Sequence, residues 1–248
     1  MTGGLQIDGI DYRFSTRQAL DGVGFSVAPG RFAALLGPNG AGKSTLFALL
    51  TGLFSAPSGT IRIAGQDMSR NPRAALAQMG VVFQSPTLDL DLTIRQNLRY
   101  FAALHGLSGR AAALRIDAAL DKLGIAERAG EKARDLNGGH RRRTEIARAL
   151  VHKPDVLLLD EATVGLDAAA REAITDHVHA LCAEDGLTVL WATHLTDEVR
   201  DSDRLIVLHE GRVIADGEAS AIRGDQPLKA RFLSMTDTPD GVPAGHPG

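Results

Sequence analysis

At 248 residues, with 44% apolar and 23% charged residues, the chain has the composition of a soluble globular protein that can bury one sizeable core or two small ones. A net charge of −3 argues against a broad nucleic-acid surface, and a single cysteine, Cys182, excludes an intrachain disulfide and reads as a small apolar helix residue in a reducing compartment. No run reaches the ~20 apolar residues of a membrane helix, and Met1 to Asp8 lacks the basic segment and apolar block of a secretory signal.

The first third reads as strands and turns. Val23, Phe25 and Val27 alternate with small residues, as in a half-buried strand. Arg31 to Leu36 is a short apolar run that predicts a buried strand. Directly after it comes Gly37-Pro38-Asn39-Gly40-Ala41-Gly42-Lys43-Ser44-Thr45, which matches the phosphate-binding loop pattern at every fixed position. Glycines there let backbone N–H groups turn toward a polyphosphate. Lys43 brings a positive charge to the outer phosphates, and Ser44 offers a hydroxyl to Mg²⁺. Leu46, Phe47, Leu49 and Leu50 fit a helix whose positive end faces the phosphates. Ile61 and Ile63 alternate between turn glycines, and Gly80 to Phe83 is a short buried-strand candidate ending at Gln84. An amide in that place can contact Mg²⁺ and an attacking water.

From about Thr93 to Leu150 the pattern is helical. Ile94, Leu98, Phe101 and Leu104 share one face, closed by Gly106; Ala112, Ile116, Ala119, Leu120 and Leu123 share another, closed by Gly124. Both stripes read as core packing. Leu136-Asn137-Gly138-Gly139-His140 then leads into an amphipathic helix through Leu150. Two readings stay open. The run is either a second helix N-terminus offered to an anion, or a loop between helices with Arg141 to Arg143 as a solvated face.

The last third alternates strand and helix. Val156 to Asp160 is an apolar run that would deliver Asp160 beside the phosphate loop, where one carboxylate can hold Mg²⁺. Glu161 follows at once. Adjacent residues at a strand end point in different directions, which leaves Glu161 for the attacking water as general base. Residues 168 to 184 predict a helix ended by Gly186. Thr188 to Thr193 predicts a strand that ends at His194, whose imidazole can bond a γ-phosphate. Leu195 to Arg200 reads as a short helix, and 204–208 with 212–215 as a hairpin around Glu210-Gly211. Beyond about Met235 the composition cannot bury a core and predicts a disordered tail over 235–248. The fold class is α/β: a phosphate-loop NTPase core with a mostly parallel sheet, an antiparallel β subdomain, and an inserted α-helical subdomain at about 88–150 within a unit spanning 1–234.

The order of these motifs resembles the ATP-binding subunit of an ABC transporter. That family carries, after its phosphate loop, a Q-loop, a signature beginning Leu-Ser-Gly-Gly-Gln, a metal-binding strand with a catalytic glutamate, a D-loop and a histidine loop. The matching positions are Gln84, Leu136 to His140, Val156 to Asp160 with Glu161, Gly165-Leu166-Asp167, and His194. The resemblance covers about residues 5 to 222. It implies that Phe14 stacks on adenine, that ATP and Mg²⁺ are bound, and that hydrolysis drives transport by transmembrane permease subunits. It also implies a homodimer with ATP sandwiched between subunits, so that Asn137, Gly138, Gly139, His140 and Asp167 act on the partner's nucleotide. The stretch 93–98 falls where such subunits dock a coupling helix of the membrane protein. The implied location is cytoplasmic, peripheral on the inner face of the cell membrane.

Three departures stand out: Asn137 for the signature serine, His140 for its glutamine, and Ala162 for the proline after the glutamate. The run Leu136 to Arg143 is similar to a bacterial exporter-type subgroup found with quinoprotein alcohol dehydrogenase systems. Two alternatives accompany the transport reading: a soluble ABC protein acting on ribosomes or DNA, and a cassette that binds ATP but hydrolyses it poorly because of Asn137 and His140. A single cassette with one cysteine disfavours the first. In this architecture the membrane subunits select the substrate.

Overall fold

A computed structural model of the chain describes residues 3–237. In chain order the elements are β1 (Leu5–Phe14), β2 (Arg17–Val27), β3 (Phe32–Leu36), α1 (Lys43–Leu50), β4 (Thr60–Ile63), β5 (Gln66–Asp67), α2 (Pro72–Ala77) and β6 (Met79–Val82). Then follow α3 (Ile94–Leu104), α4 (Gly109–Lys122), α5 (Gly138–Leu150), β7 (Val156–Asp160), α6 (Ala168–Asp185), β8 (Thr188–Thr193), β9 (Arg204–His209), β10 (Arg212–Glu218), α7 (Ala219–Arg223) and α8 (Leu228–Thr236).

Two sheets organise them. Six strands run in the order β10-β9-β3-β8-β7-β6, with all neighbours parallel except β10 on β9. The central strands are buried on both faces, which is why β3 and β8 read as unbroken apolar runs. A second sheet, β2-β1-β4-β5, is antiparallel, and β2 and β4 alternate buried and exposed residues as a one-sided sheet must. Helices α3, α4 and α5 intervene between β6 and β7, and the core under them runs on into the faces of β3, β7 and β8. No helix among the described residues is long and apolar enough to cross a membrane.

Four sequence expectations are corrected. Leu104 is 64% exposed, because the buried positions of α3 run Ile94, Leu98, Ala102; each four-residue step drifts about 40° round the helix and carries the seam away from Leu104. Leu195 to Arg200 forms only a single 3₁₀ turn, Thr196–Glu198, with extended backbone at Leu195 and Val199. The buried Glu198 side chain turns inward there, and a turn closed by Asp203 N on Arg200 O (3.0 Å) leads to β9. Arg142 is buried rather than solvated. Regular structure continues through Thr236, past the expected end at 234, since α8 packs Phe232 and Met235 on the core. The rest of the expected tail, 238–248, lies outside the described residues.

Candidate nucleotide site

The phosphate loop joins β3 to α1. Its first glycine donates from Gly37 N to Thr193 O of β8 (3.2 Å). Gly42 stands at φ 112° as N-cap of α1, where a Cβ would lie 2.7 Å from Ala19 O. Only glycine fits that backbone. No side chain caps α1, so the N–H groups of its first turn stay available to an anion. Lys43 folds back over the loop. Its Nζ donates to Gly37 O (2.6 Å) and Pro38 O (3.2 Å) and lies 3.6 Å from Glu161 Oε1. Burial pushes the Lys43 ammonium below its usual range, opposed by the Glu161 and Asp160 carboxylates.

Strand β7 delivers the acids. Asp160 has its pKa raised to about 6, first by burial and then by Glu161, with Lys43 and Arg142 opposing. Alternation along the strand does not set Glu161. Its backbone is left-handed, φ 46°, a conformation that costs a glutamate about 1–3 kcal/mol. Glu161 N–H is anchored on Ala192 O of β8 (2.9 Å). The kink brings the carboxylate into a meeting of three side chains. Gln84 Nε2 donates to Glu161 Oε2 (3.1 Å), His194 Nδ1 lies 3.2 Å from Glu161 Oε1 without hydrogen-bond alignment, and Lys43 completes the set. A carboxylate held among an amide, an imidazole and an ammonium is fixed in orientation.

These residues open on a cavity of about 400 Å³, lined among others by Phe14, Asn39, Gly40, Gly42, Lys43, Ser44, Thr45, Gln84 and Glu161. Phe14 is 44% exposed and sits edge-on to Tyr12 (4.9 Å) and Phe54 (5.8 Å). Its free face suits a flat base. Arg17 and Ala19 also line the cavity and escaped sequence reasoning. They lie on β2, where nothing in their spacing distinguishes them from ordinary strand residues. The oxygen donors of Ser44, Gln84 and Asp160 are the hard set that Mg²⁺ takes, with most of its shell left to phosphate and water.

Asn137 to His140 line no part of that cavity. Asn137 caps α5, its Oδ1 accepting from His140 N (2.8 Å). A Cβ on Gly138 would meet Leu166 Cδ2 at 2.9 Å, so the signature turn packs on the 165–167 loop. Asp167 caps α6, accepting from Ala170 N (2.8 Å). Burial, and then the cations of Arg128 and Arg143, push the His140 imidazole down. Ala162 is fully buried.

A buried network escaped the sequence reading. Arg142 Nη1 donates to Phe83 O (2.6 Å) and Glu145 Oε2 (2.8 Å), and Arg142 Nη2 to Gln84 O (2.9 Å). Glu145 Oε1 accepts from Thr87 N (2.7 Å), and Arg148 Nη1 donates to Thr87 O (2.8 Å). One face of α5 thus holds the loop that carries Gln84. Charges at three-residue spacing on that helix were the available signal.

Comparison with known proteins agrees with this geometry. The family model described as ABC transporter matches residues 20–164. The Nod factor export ATP-binding protein I of Paraburkholderia xenovorans is 40% identical over 219 residues, covering 88% of this chain and 72% of that protein. Among solved structures, a subunit of an ABC transporter complex from Clostridium perfringens superposes with TM-score 0.83 at 30% identity, covering 94% of this chain and 96% of that one. A dimeric bacterial ABC transporter cassette superposes with TM-score 0.75 at 27% identity, covering 86% and 98%. The chain belongs to the ABC transporter family, as one of its ATP-binding subunits, an ATPase coupled to transport.

Proposed function

We propose that the chain powers an exporter, hydrolysing ATP at sites shared between two copies of itself. The observation that carries the reading is the convergence of Lys43, Gln84 and His194 on Glu161 at the mouth of the phosphate-loop cavity. Lys43 and the uncapped start of α1 hold the phosphates. Ser44, Asp160 and Gln84 would hold Mg²⁺, which neutralises charge on the phosphates when bound. Glu161 takes the proton from the attacking water, and His194 and Gln84 keep the carboxylate aimed. Phe14 stacks on the adenine.

Asn137 to His140 stand outside the chain's own cavity, which supports their use on a partner's nucleotide. The dimeric cassette among the structural neighbours supports the same arrangement. Export is supported by the name of the Paraburkholderia relative, and a membrane partner by the Clostridium complex. The narrower likeness to the quinoprotein-associated subgroup rests on residues 136–143 alone. Glu161→Gln is the test. Turnover should fall by about 10²–10⁴-fold, the range of a general base, while ATP still binds and locks a dimer seen by size-exclusion chromatography. Normal turnover would remove Glu161 from the role of base.

A further inference from the structure

A carboxylate taken out of water is costly unless its oxygens are hydrogen-bonded. Glu198 is 2% exposed and lines no part of the nucleotide cavity. Its partners are all of one kind, donors from the two segments that carry the site. Oε1 accepts from the Thr163 hydroxyl, and Oε2 accepts from Trp191 Nε1 (3.2 Å). Burial pushes the Glu198 carboxyl up, and the Trp191 bond opposes it.

Thr163 lies two residues past Glu161, in a turn closed by Val164 N on Glu161 O (3.2 Å) and Leu166 N on Thr163 O (3.1 Å). Thr193 directly precedes His194, and its Oγ1 accepts from Leu195 N (2.9 Å), the residue directly after. The strand that ends at His194 is therefore tied to Glu198 through Trp191, and the strained turn at Glu161 is fastened to the same carboxylate through Thr163.

We propose that Glu198 is a positioning residue for hydrolysis, its buried carboxylate fixing the turn of Glu161 against the strand end of His194. It acts through those two side chains and touches no substrate. The inference rests on the roles given above to Glu161 and His194. A well-packed apolar side chain could fill the same space with no loss of stability, so the gain from an acid here lies in geometry. The Thr163 hydroxyl and the indole would then have no common acceptor, and the Glu161–His194 approach of 3.2 Å would no longer be enforced.

The test uses the full chain with E198Q, the near-isosteric T163V, their double variant, and E161Q and H194A alongside. In E198Q and T163V, kcat should fall about 10–100-fold, the loss expected from a small misplacement of reacting groups, with KM for ATP unchanged. The double variant should be no slower than E198Q, since both break one network. Trp191 is the chain's only tryptophan, so its emission should shift in E198Q, which replaces the indole's charged acceptor by a neutral amide. Wild-type kcat in both E198Q and T163V, with turnover lost in E161Q and H194A, overturns the role of Glu198 alone. A loss in which KM rises as kcat falls, in step with a lowered thermal midpoint, also overturns it, as the mark of a merely structural residue. Full turnover in E161Q or H194A overturns the site assignment itself.

Discussion

Two glycine-rich helix starts in this chain, at Gly42 before α1 and at Asn137 before α5, look alike as sequence and are finished differently. At α1 no side chain caps the helix, and the end faces an open cavity with a lysine folded over the loop. At α5 the Asn137 side chain already holds the His140 N–H, and the turn faces outward beside the 165–167 loop. The first start carries its own lysine and cavity wall; the second lines no part of that cavity and is proposed to serve a partner's nucleotide. A helix N-terminus attracts anions in either case. What separates them is whether the rest of the wall is supplied by the same chain.

The two starts also differ in what steadies them. The phosphate loop hangs on one backbone bond to Thr193 of β8, on one from Gly211 N to Ala41 O, and on Lys43. The signature helix is tied to the Gln84 loop by buried charges. Glu145→Ala strands Arg142 and Arg148 without their carboxylate and should cost about 3–5 kcal/mol of unfolding free energy. Urea denaturation measures it. A loss below about 1 kcal/mol, the worth of an exposed pair, would show that the network is not a clamp.

The next effect is one of pH and belongs to the α1 side alone. Asp160 titrates at about 6 instead of 3.8 in the free site, so it is carboxylate above that pH and carboxylic acid below. Mg²⁺-dependent ATP affinity should therefore hold above pH 6 and fall by about tenfold per unit below it. Asp160→Asn should flatten that slope. The stability effect has the opposite sense. The folded state holds this proton more tightly than the unfolded state, so the nucleotide-free protein loses stability through Asp160 as pH rises from about 4 to 6. Isothermal titration at several pH values, with and without the substitution, checks the first claim; thermal melts check the second.

The smallest effect is at α5. Asn137→Ala removes the cap on His140 N and should cost about 1 kcal/mol. Asn137→Ser keeps an acceptor and should restore most of it. Equal melting of all three proteins would mean that the cap contributes nothing.

Much of this was legible in the sequence, for a physical reason that varies by region. The phosphate loop, Asp160, Glu161 and His194 lie at the ends of strands buried on both faces, and such strands are unbroken apolar runs that end where the chemistry begins. The direction of Glu161 was not legible, because it comes from a left-handed turn at a residue with no glycine to announce it. Arg142 and Glu198 were hidden for the opposite reason. Charged residues in helices and short turns read as solvent-facing, and only tertiary packing buries these two against their partners. Arg17 reached the cavity from a strand of the other sheet, which no local pattern foretells.

The central claim is that the two helix starts complete each other across a dimer. Complementation tests it most directly. Lys43→Ala disables the cradle and Gly139→Asp places a carboxylate in the signature; each alone should be inactive. Mixed in equal amounts, they form dimers in which the intact cradle of one subunit faces the intact signature of the other. Turnover should return to about a quarter of wild type, half the dimers being mixed with one good site in two. A mixture no more active than its separate components would contradict the account.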